Sequence, residues 1–537
     1  MNDFDVIVAG SGASGIMAAQ TLAADGARVL VLDGGRRDDH YAALIPRKSF
    51  VDIRHSEPEQ YRYFLGDAFE SAAFRKLGAG AQLTPPRRFI IDAVAESLPV
   101  RSSSFTGLES LATGGLASGW GLMCGVYSDA ELERASLPVG MMRDAYQVIA
   151  DRIGICAADD DARPFACGAL QRIQPPPPLD PTAAVLSKQY ARQRGALRAR
   201  GYHLGRPAMA LLTQPKNGRS ATQLFDMDFY SDAGNSAWRP ALALEALRRS
   251  PNVAYAGNAL VTRFDERDDG VALEALDLED RSARRYNCRR LVLACGVLGT
   301  ARIVLRSLST ARVRLRLLCN DYTYVPCVVP SRVGRSMPER NNSLTQLAIF
   351  HDPSDDARDI AVGTIFAYRS LLLFRLLREM PLNVRDARAL MQYLLSGFLI
   401  AGFDHPQAYS DGKELWLESD SASPTGDRLA IEFALTGDEC TRHDAREREF
   451  MRVLRALGAW PIKRVHPPLG SSIHYAGTLP VSNEERPFTL AADGRLHGTQ
   501  RVYVADGSGF TFLPAKGVTL SLMANAHRVA AGLCEAS

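Results

Sequence analysis

Residues 4–33 read FDVIVAGSGASGIMAAQTLAADGARVLVLD, and this stretch decides the fold. Phe4 to Ala9 is a short apolar run of strand type. Gly10-Ser-Gly12-Ala-Ser-Gly15 follows it directly. Ile16 to Ala24 is small and apolar, the composition of a helix packed closely on a sheet. Ala27 to Leu32 is a second strand, and Asp33 at its end stands 18 residues beyond the third glycine. A lone G-x-G-x-x-G says little. Between a strand and a helix, with an acid after the next strand, it marks a βαβ unit that binds a dinucleotide. Gly10 permits the tight turn, Gly12 lets the backbone approach a pyrophosphate, and Gly15 lets helix and strand close up. The helix N-terminus offers free N–H groups and the positive end of its dipole to phosphate. Asp33 is placed to accept hydrogen bonds from a ribose diol.

Working outward, residues 36–100 carry many charges and prolines and read as irregular. Thr113 to Gly121 (TGGLASGWG) is a second glycine-rich loop. Residues 131–215 mix helical pattern with a proline-rich connection at Pro175 to Pro178. Asn252 to Phe264 is β-rich, and Arg290 to Ala294 is a strand that runs into Cys295-Gly296 and a helix. Residues 311–450 change style, with alternating strands and an apolar stretch at 361–403. From about 455 the dense, glycine-punctuated style returns: a strand over Gly498 to Ala505, a turn at Asp506-Gly507-Ser508-Gly509, and a helix over Val518 to Ala531. Four glycine-rich segments at 10–15, 113–121, 295–302 and 505–517 are more than one NAD-binding domain needs. They suit a flavoprotein whose FAD domain is assembled from distant pieces of chain, with Asp506 near the ribityl or pyrophosphate.

Length and composition agree. The chain has 537 residues, 46% hydrophobic and 23% charged, which is ample for a large buried core and excludes disorder, collagen and coiled coil as the main architecture. With 63 basic and 60 acidic side chains the net charge is +3, and no basic excess points to nucleic acid. The nine cysteines form no C-x-x-C and no zinc-type cluster, so they read as reduced thiols of a cytoplasmic protein, with no metal ligand among them. The first residues enter a strand at once, with no signal peptide, and no apolar run is long enough to span a membrane.

The segments VIVAGSGASG, GGLASGWG, LVLACGVLGTAR, SIHYAGT and VYVADGSGFTFLPAKGVTLSLMANAHRVA resemble the glucose–methanol–choline (GMC) oxidoreductase family. The resemblance covers the first and last parts of the chain well and the middle by position only. It implies an α/β fold, with a Rossmann-like FAD-binding domain and a substrate domain of antiparallel sheet with helices. The expected division is 1–130, 220–310 and 455–537 for FAD, and 131–219 and 311–454 for substrate. The implied reaction is metal-free: FAD takes a hydride from an alcohol carbon while a histidine removes the hydroxyl proton. The substrate is a small molecule with a sugar, polyol or natural-product hydroxyl; the electron acceptor is unspecified. The resemblance places Gly10, Gly12, Ser14, Gly15 and Asp33 at the cofactor. It adds Gly114, Gly115, Trp120, Val261, Cys295 and Gly296 from the middle segments. Asp506, Gly507, Gly517 and Val518 complete the set.

His474 matches the family's H-x-x-G-T histidine, and the residues alone also favour it, since an imidazole in a loop of small residues can approach a planar cofactor and titrates near neutrality. Two departures carry consequences. Gly119 precedes Trp120 where covalent relatives have histidine, so FAD is expected to be noncovalent. The second catalytic position, usually His or Asn, falls on Gly517; the adjacent Lys516 is the candidate to orient the alcohol oxygen or to stabilise an alkoxide or anionic flavin. Gly517 leaves open a non-standard step, cyclisation or isomerisation, or a structural FAD. Three further features have two readings each. Arg312, Arg314 and Arg316 are an anion site or a solvated sheet face. The stretch 368–403 is either a functional apolar element (a peripheral membrane contact, even of a noncatalytic subunit, or a substrate lid) or core. Tyr230 and Trp238 are candidates for the substrate side.

Overall fold

A computed structural model describes residues 4–38, 40–69, 85–225, 232, 234–309, 312–338, 340–367 and 381–535. The opening βαβ unit forms as its pattern predicts: strand Phe4–Ala9, helix Ala13–Ala24 and strand Val29–Leu32. The helix starts three residues earlier than its apolar run, because Gly12 in extended conformation acts as N-cap and Ala13 already lies inside. Phe4–Ala9 is central to a seven-stranded sheet in which Val253–Ala256, Val29–Leu32, Phe4–Ala9, Ala283–Leu293 and Val502–Val504 run parallel. Two antiparallel strands, Gly270–Asp277 and Ala259–Arg267, extend it. Val29–Leu32 and the end of Phe4–Ala9 are buried on both faces, as inner parallel strands are, which explains their unbroken apolar runs. The helix Thr519–Glu535 packs on the first helix, and both carry small residues at the contact.

The second body is a six-stranded antiparallel sheet in the order Trp460–Pro461, Tyr322–Val328, Phe398–Asp404, Ala361–Ala367, Thr345–His351 and Tyr202–Gly205. Helices Pro181–Arg198 and Gly437–Ala456 cover one face through a core that includes Leu186, Tyr190, Phe403, Phe450 and Leu454. The α/β class with an added antiparallel sheet is therefore present. Two segments of the expected substrate part share cores with elements of the dinucleotide-type body. Helix Val139–Ile153 buries Met142, Tyr146 and Ile149 in the core shared with Ile16 and Met523. The hairpin Lys413–Ser419 and Asp427–Phe433 puts Leu415, Leu429 and Ile431 in the core of the dinucleotide-type sheet. Both segments carry amphipathic patterns that do not say which sheet they cover. Residues 36–100, read as irregular, contain short helices at Phe50–Ser56 and Tyr61–Leu65, the first capped by Ser49.

Among the described residues no helix is long and apolar enough to cross a membrane. Of the stretch 368–403, residues 368–380 lie outside the described residues. Its end, Phe398–Asp404, is an inner strand of the six-stranded sheet, with Leu399, Ala401 and Phe403 in the core, so packing accounts for its apolar character.

Candidate active site

One cavity gathers residues from all four glycine-rich segments. Gly10, Gly12 and Ser14 line it with Asp33; so do Gly115 and Trp120, Val261, Cys295 and Gly296. Asp506, Gly507, Val518 and His474 complete the wall. Gly15 and Gly114 stand just behind. A Cβ on Gly15 would run into the carbonyl of Gly10, so this glycine is what lets helix and strand close up. Gly114, at φ +88°, donates its N–H to Ser11 Oγ at 2.8 Å and ties the second loop to the first. Gly12 does something else. Its φ of −64° suits any residue, and a Cβ there would meet no protein atom nearer than the Gly114 carbonyl at 4.0 Å. The missing side chain is cavity space. Gly12→Val should therefore fold normally, by circular dichroism, and bind FAD at least about tenfold more weakly, equivalent to about 1.4 kcal/mol, as read from flavin absorbance during titration.

The donor set fits FAD. Asp33 is buried, held by the N–H groups of Ser11 (3.4 Å) and Gly35 (3.3 Å) and by Tyr255 Oη–H (3.3 Å), and burial pushes its carboxyl up to about 6. A diol donating two O–H groups would relieve that desolvation. Asp506 is also buried, accepting from Thr300 Oγ1 at 2.6 Å and Ser508 Oγ at 2.7 Å, and burial raises its pKa. The helix from Thr519 presents its N-terminus to the cavity through Val518 and Thr519. That end favours negative charge. Cys295 is inert here: its thiol points at the Ala9 carbonyl at 3.3 Å, and burial raises its pKa. Trp120 is fixed by its indole N–H to the Trp238 carbonyl at 3.0 Å and by edge-to-face contact with the Trp238 ring. Trp238 thus backs the cofactor loop; Tyr230 lies outside the described residues. Sequence reading missed Glu109, whose carboxylate pairs with the buried Arg302 at 2.9 Å beside the cavity. An acid 193 residues away in sequence gave no local signal.

His474 is positioned by a ladder and a strained turn. Strand Tyr475–Ala476 pairs antiparallel with Leu318–Cys319, Cys319 opposite Tyr475, which brings Asn320 opposite His474. Asn320 Oδ1 lies 3.2 Å from His474 Nδ1. The amide nitrogen of Asn320 faces the carbonyls of His405 (2.8 Å), Pro514 (3.2 Å) and Leu513 (3.4 Å). These acceptors orient the amide so that its oxygen must accept from Nδ1–H. Nε2 is then left with its lone pair, the tautomer of a general base. Ile473 precedes it at φ +62°, an outlier for a β-branched residue, and such strain persists only where surroundings enforce it. Tyr475 supplies part of that enforcement by donating to the Gly470 carbonyl at 2.8 Å. Burial lowers the His474 pKa to about 4, so the ring is neutral near neutrality.

Lys516 sits elsewhere. Its ammonium is 2.7 Å from Glu131 Oε2, both side chains are 1% exposed, and Nζ also donates to the Val126 carbonyl at 2.9 Å. It does not line the cavity. Position 517 admits no side chain, since a Cβ there would stand 2.9 Å from the Met123 carbonyl. The three arginines are engaged as well: Arg312 with Glu418, Arg314 with Glu414 and Glu432, and Arg316 over the Tyr409 ring. The face is an ion-paired sheet surface. Asp321, His405 and His443 bring ligand-type atoms within 4.8 Å of one another. The two imidazoles are stacked, centroids 3.8 Å apart and 8° from parallel. Lone pairs lie in the ring planes, so near-parallel rings do not aim at one ion. His443 Nδ1 instead meets Asp321 at 2.8 Å, and His405 Nε2 meets Glu447 at 3.3 Å.

Comparison with known proteins agrees with this assembly. A family model described as GMC oxidoreductase matches residues 459–526, the segment that holds His474 and Asp506. Two Streptomyces enzymes align along almost the whole chain. The 6'''-hydroxyparomomycin C oxidase of Streptomyces lividus is 23% identical over 544 residues, and the paromamine 6'-oxidase of Streptomyces fradiae 24% over 559; each alignment covers 98% of this chain and 90% of the relative. The crystal structure of pyridoxine 4-oxidase from Mesorbium loti shares the fold, with a TM-score of 0.55 at 14% identity, covering 99% of both chains. Members of the matched family bind FAD and oxidise alcohol or sugar hydroxyls by hydride transfer to it. With the glycine cradle, its two buried acids and the histidine on one cavity, this homology supports an FAD oxidoreductase of the GMC type.

Proposed function

We propose that this protein oxidises a sugar, polyol or natural-product hydroxyl, with His474 as the base and noncovalent FAD as the cofactor. The observation that carries the reading is the placement of a neutral, tautomer-fixed His474 on the same cavity as Gly12, Asp33 and Asp506. FAD, when bound, supplies the acceptor for the hydride. His474 Nε2 takes the hydroxyl proton, which leaves the imidazole doubly protonated, with Nδ1–H still directed at Asn320. Asn320 is a positioning residue, and it works on the ring alone. The base carries the proton transfer by itself, because Gly517 has no side chain and Lys516 is paired with Glu131. That the two Streptomyces relatives are named as oxidases of paromomycin-type compounds supports a natural-product hydroxyl.

Anaerobic mixing of the yellow holoenzyme with candidate alcohols tests this reading. Flavin bleaching, with a product two hydrogens lighter, is the expected result. Product formed without loss of hydrogen or bleaching would sink it in favour of a cyclisation or isomerisation. Denaturation should release intact FAD, because Gly119 offers no attachment nucleophile; flavin left on the chain contradicts the noncovalent assignment. Asn320→Asp tests the positioning role separately. A carboxylate facing Nδ1 favours the imidazolium and raises the base's pKa, by about 1–3 units at this range. The rate of flavin reduction is lost as pH falls through that pKa, so the acidic limb should move upward from near 4. An unmoved limb would mean that Asn320 does not govern the base.

A further inference from the structure

The six-stranded sheet has two faces: helices cover one, and on the other only part of the strand residues join a hydrophobic core. Asp321, Thr323, Phe403 and His405 turn toward helix Gly437–Ala456, where they meet His443, Glu447 and Phe450. Side chains alternate along a strand, so the intervening residues Asn320, Tyr322, Tyr324 and Asp404 occupy the opposite face. That face looks to the cofactor side. Asn320 holds His474 there, and Val362, next to Asp404 in the ladder, packs in the core that contains Leu513 and Val518. Tyr322 pairs directly with Asp404, and the bond from His405 N–H to the Asp321 carbonyl (3.0 Å) continues the register toward Asn320. At about 3.3 Å per residue, Tyr322 stands about 7 Å along from Asn320. Asp404 is one strand across, at about 5 Å.

Asp404 is an unusual carboxylate for that position. Among the described residues it has no hydrogen-bond or ion-pair partner, yet it retains accessible surface, so a ligand can touch it. Its neighbours are aromatic: the Tyr322 and Tyr324 rings stand 6.2 Å apart, tilted by 32°. Burial, and then the negative charge of Asp321, push its carboxyl up to about 8, while burial and the charge of Asp404 raise the Tyr322 phenol. A carboxyl held protonated by such surroundings gives up its proton to solvent when a cation is brought to it, and the ion pair then forms. Aromatic faces attract the same kind of guest, and so do not compete for it.

We propose that Asp404, flanked by Tyr322 and Tyr324, is a substrate subsite for a protonated amino group, so that the alcohol oxidised at His474 belongs to an amino sugar or other amino alcohol. This rests on the reading of His474 as the base that receives the hydroxyl proton. The backbone steps, about 7 Å along the strand from Asn320 to Tyr322 and about 5 Å across to Asp404, keep the two groups within reach of one sugar-sized frame. The subsite sets specificity and takes no part in bond making.

The test uses glucosamine and N-acetylglucosamine, which share their hydroxyls and differ in charge, with the FAD-loaded full chain. Binding is read from perturbation of the flavin spectrum under anaerobic conditions, and turnover from flavin reduction. The wild type should prefer glucosamine by about 10–100-fold, the range of a hydrogen bond to a charged group. Asp404→Asn should abolish the preference, and Asp404→Glu should restore part of it. FAD content and melting temperature of both variants show that they are folded. Equal binding of the two sugars to the wild type overturns the proposal. So does a preference that survives in folded Asp404→Asn. If Asp404→Asn does not fold, the Asp404→Glu and Tyr322→Leu variants decide by the same ratio, which should fall in both. Failure of the alcohol reading looks different: a charge preference in binding, dependent on Asp404, with no flavin reduction by any alcohol tried.

Discussion

Replacing His474 with alanine is expected to slow flavin reduction by about 10²–10⁴-fold, the range for a positioned acid–base group, while leaving the protein loaded with FAD. The two effects separate because the residues are separate. The cradle that fits the cofactor is built from Gly10 to Gly15, Asp33 and Asp506, and none of these bonds to His474 in the structure. Stopped-flow mixing under anaerobic conditions measures the first quantity, and the absorbance ratio of purified protein the second. His474→Gln keeps a polar side chain but offers no base at neutral pH, so it should fall in the same range as alanine. A variant that loses flavin as well as rate would recast His474 as part of the cofactor site. One that keeps both would remove it from the reaction.

Lys516 should show its role in stability. Its ammonium and the Glu131 carboxylate form an ion pair with both side chains almost wholly out of water. Removing one partner leaves the other charge buried and alone, a loss of about 3–5 kcal/mol. For a protein with a typical margin of about 5–15 kcal/mol this is a large fraction. Lys516→Met should therefore lower the midpoint of urea or thermal unfolding sharply, and Glu131→Gln should do so less, because the amide oxygen and the Val126 carbonyl can still accept from the ammonium. The double variant Lys516→Met with Glu131→Leu should recover much of the loss, since a well-packed apolar pair can match a buried salt bridge. Protein that remains folded should reduce its flavin far faster than His474→Ala. A Lys516→Met enzyme that is stable but slow would place the ammonium at the reacting atoms instead.

The βαβ unit, the four glycine-rich segments and His474 were legible because each is a local pattern. A strand, a glycine turn and a helix within 30 residues leave one way to fold, and a histidine in a loop of small residues has few structural reasons to be there. What the sequence could not weigh were partners brought together by register. Lys516 reads as a cation near a cofactor helix; only the packed chain reveals that Glu131 neutralises it. The alternation of Arg312, Arg314 and Arg316 was plain, but Glu414, Glu418 and Glu432 reach it across neighbouring strands. Helix Val139–Ile153 shows an apolar stripe whichever sheet it covers, so its place against helix Thr519–Glu535 was a tertiary matter.

The base shows the division most clearly. The amino-acid sequence alone marked His474 as the imidazole to examine, and marked position 517 as a glycine with nothing to offer an alcohol. Which nitrogen of that imidazole keeps its lone pair was decided by Asn320, 154 residues away, whose amide is oriented by carbonyls of two further segments. Asp404 was invisible for the same reason. Along its own strand it is one polar residue at the end, and it becomes a candidate site only opposite Tyr322. Hydrophobic periodicity and glycine turns are written in neighbouring residues, so one chain segment carries them. A hydrogen bond that selects a tautomer, or a carboxylate facing two aromatic rings, depends on which strands lie side by side, and that follows from the free energy of the whole core.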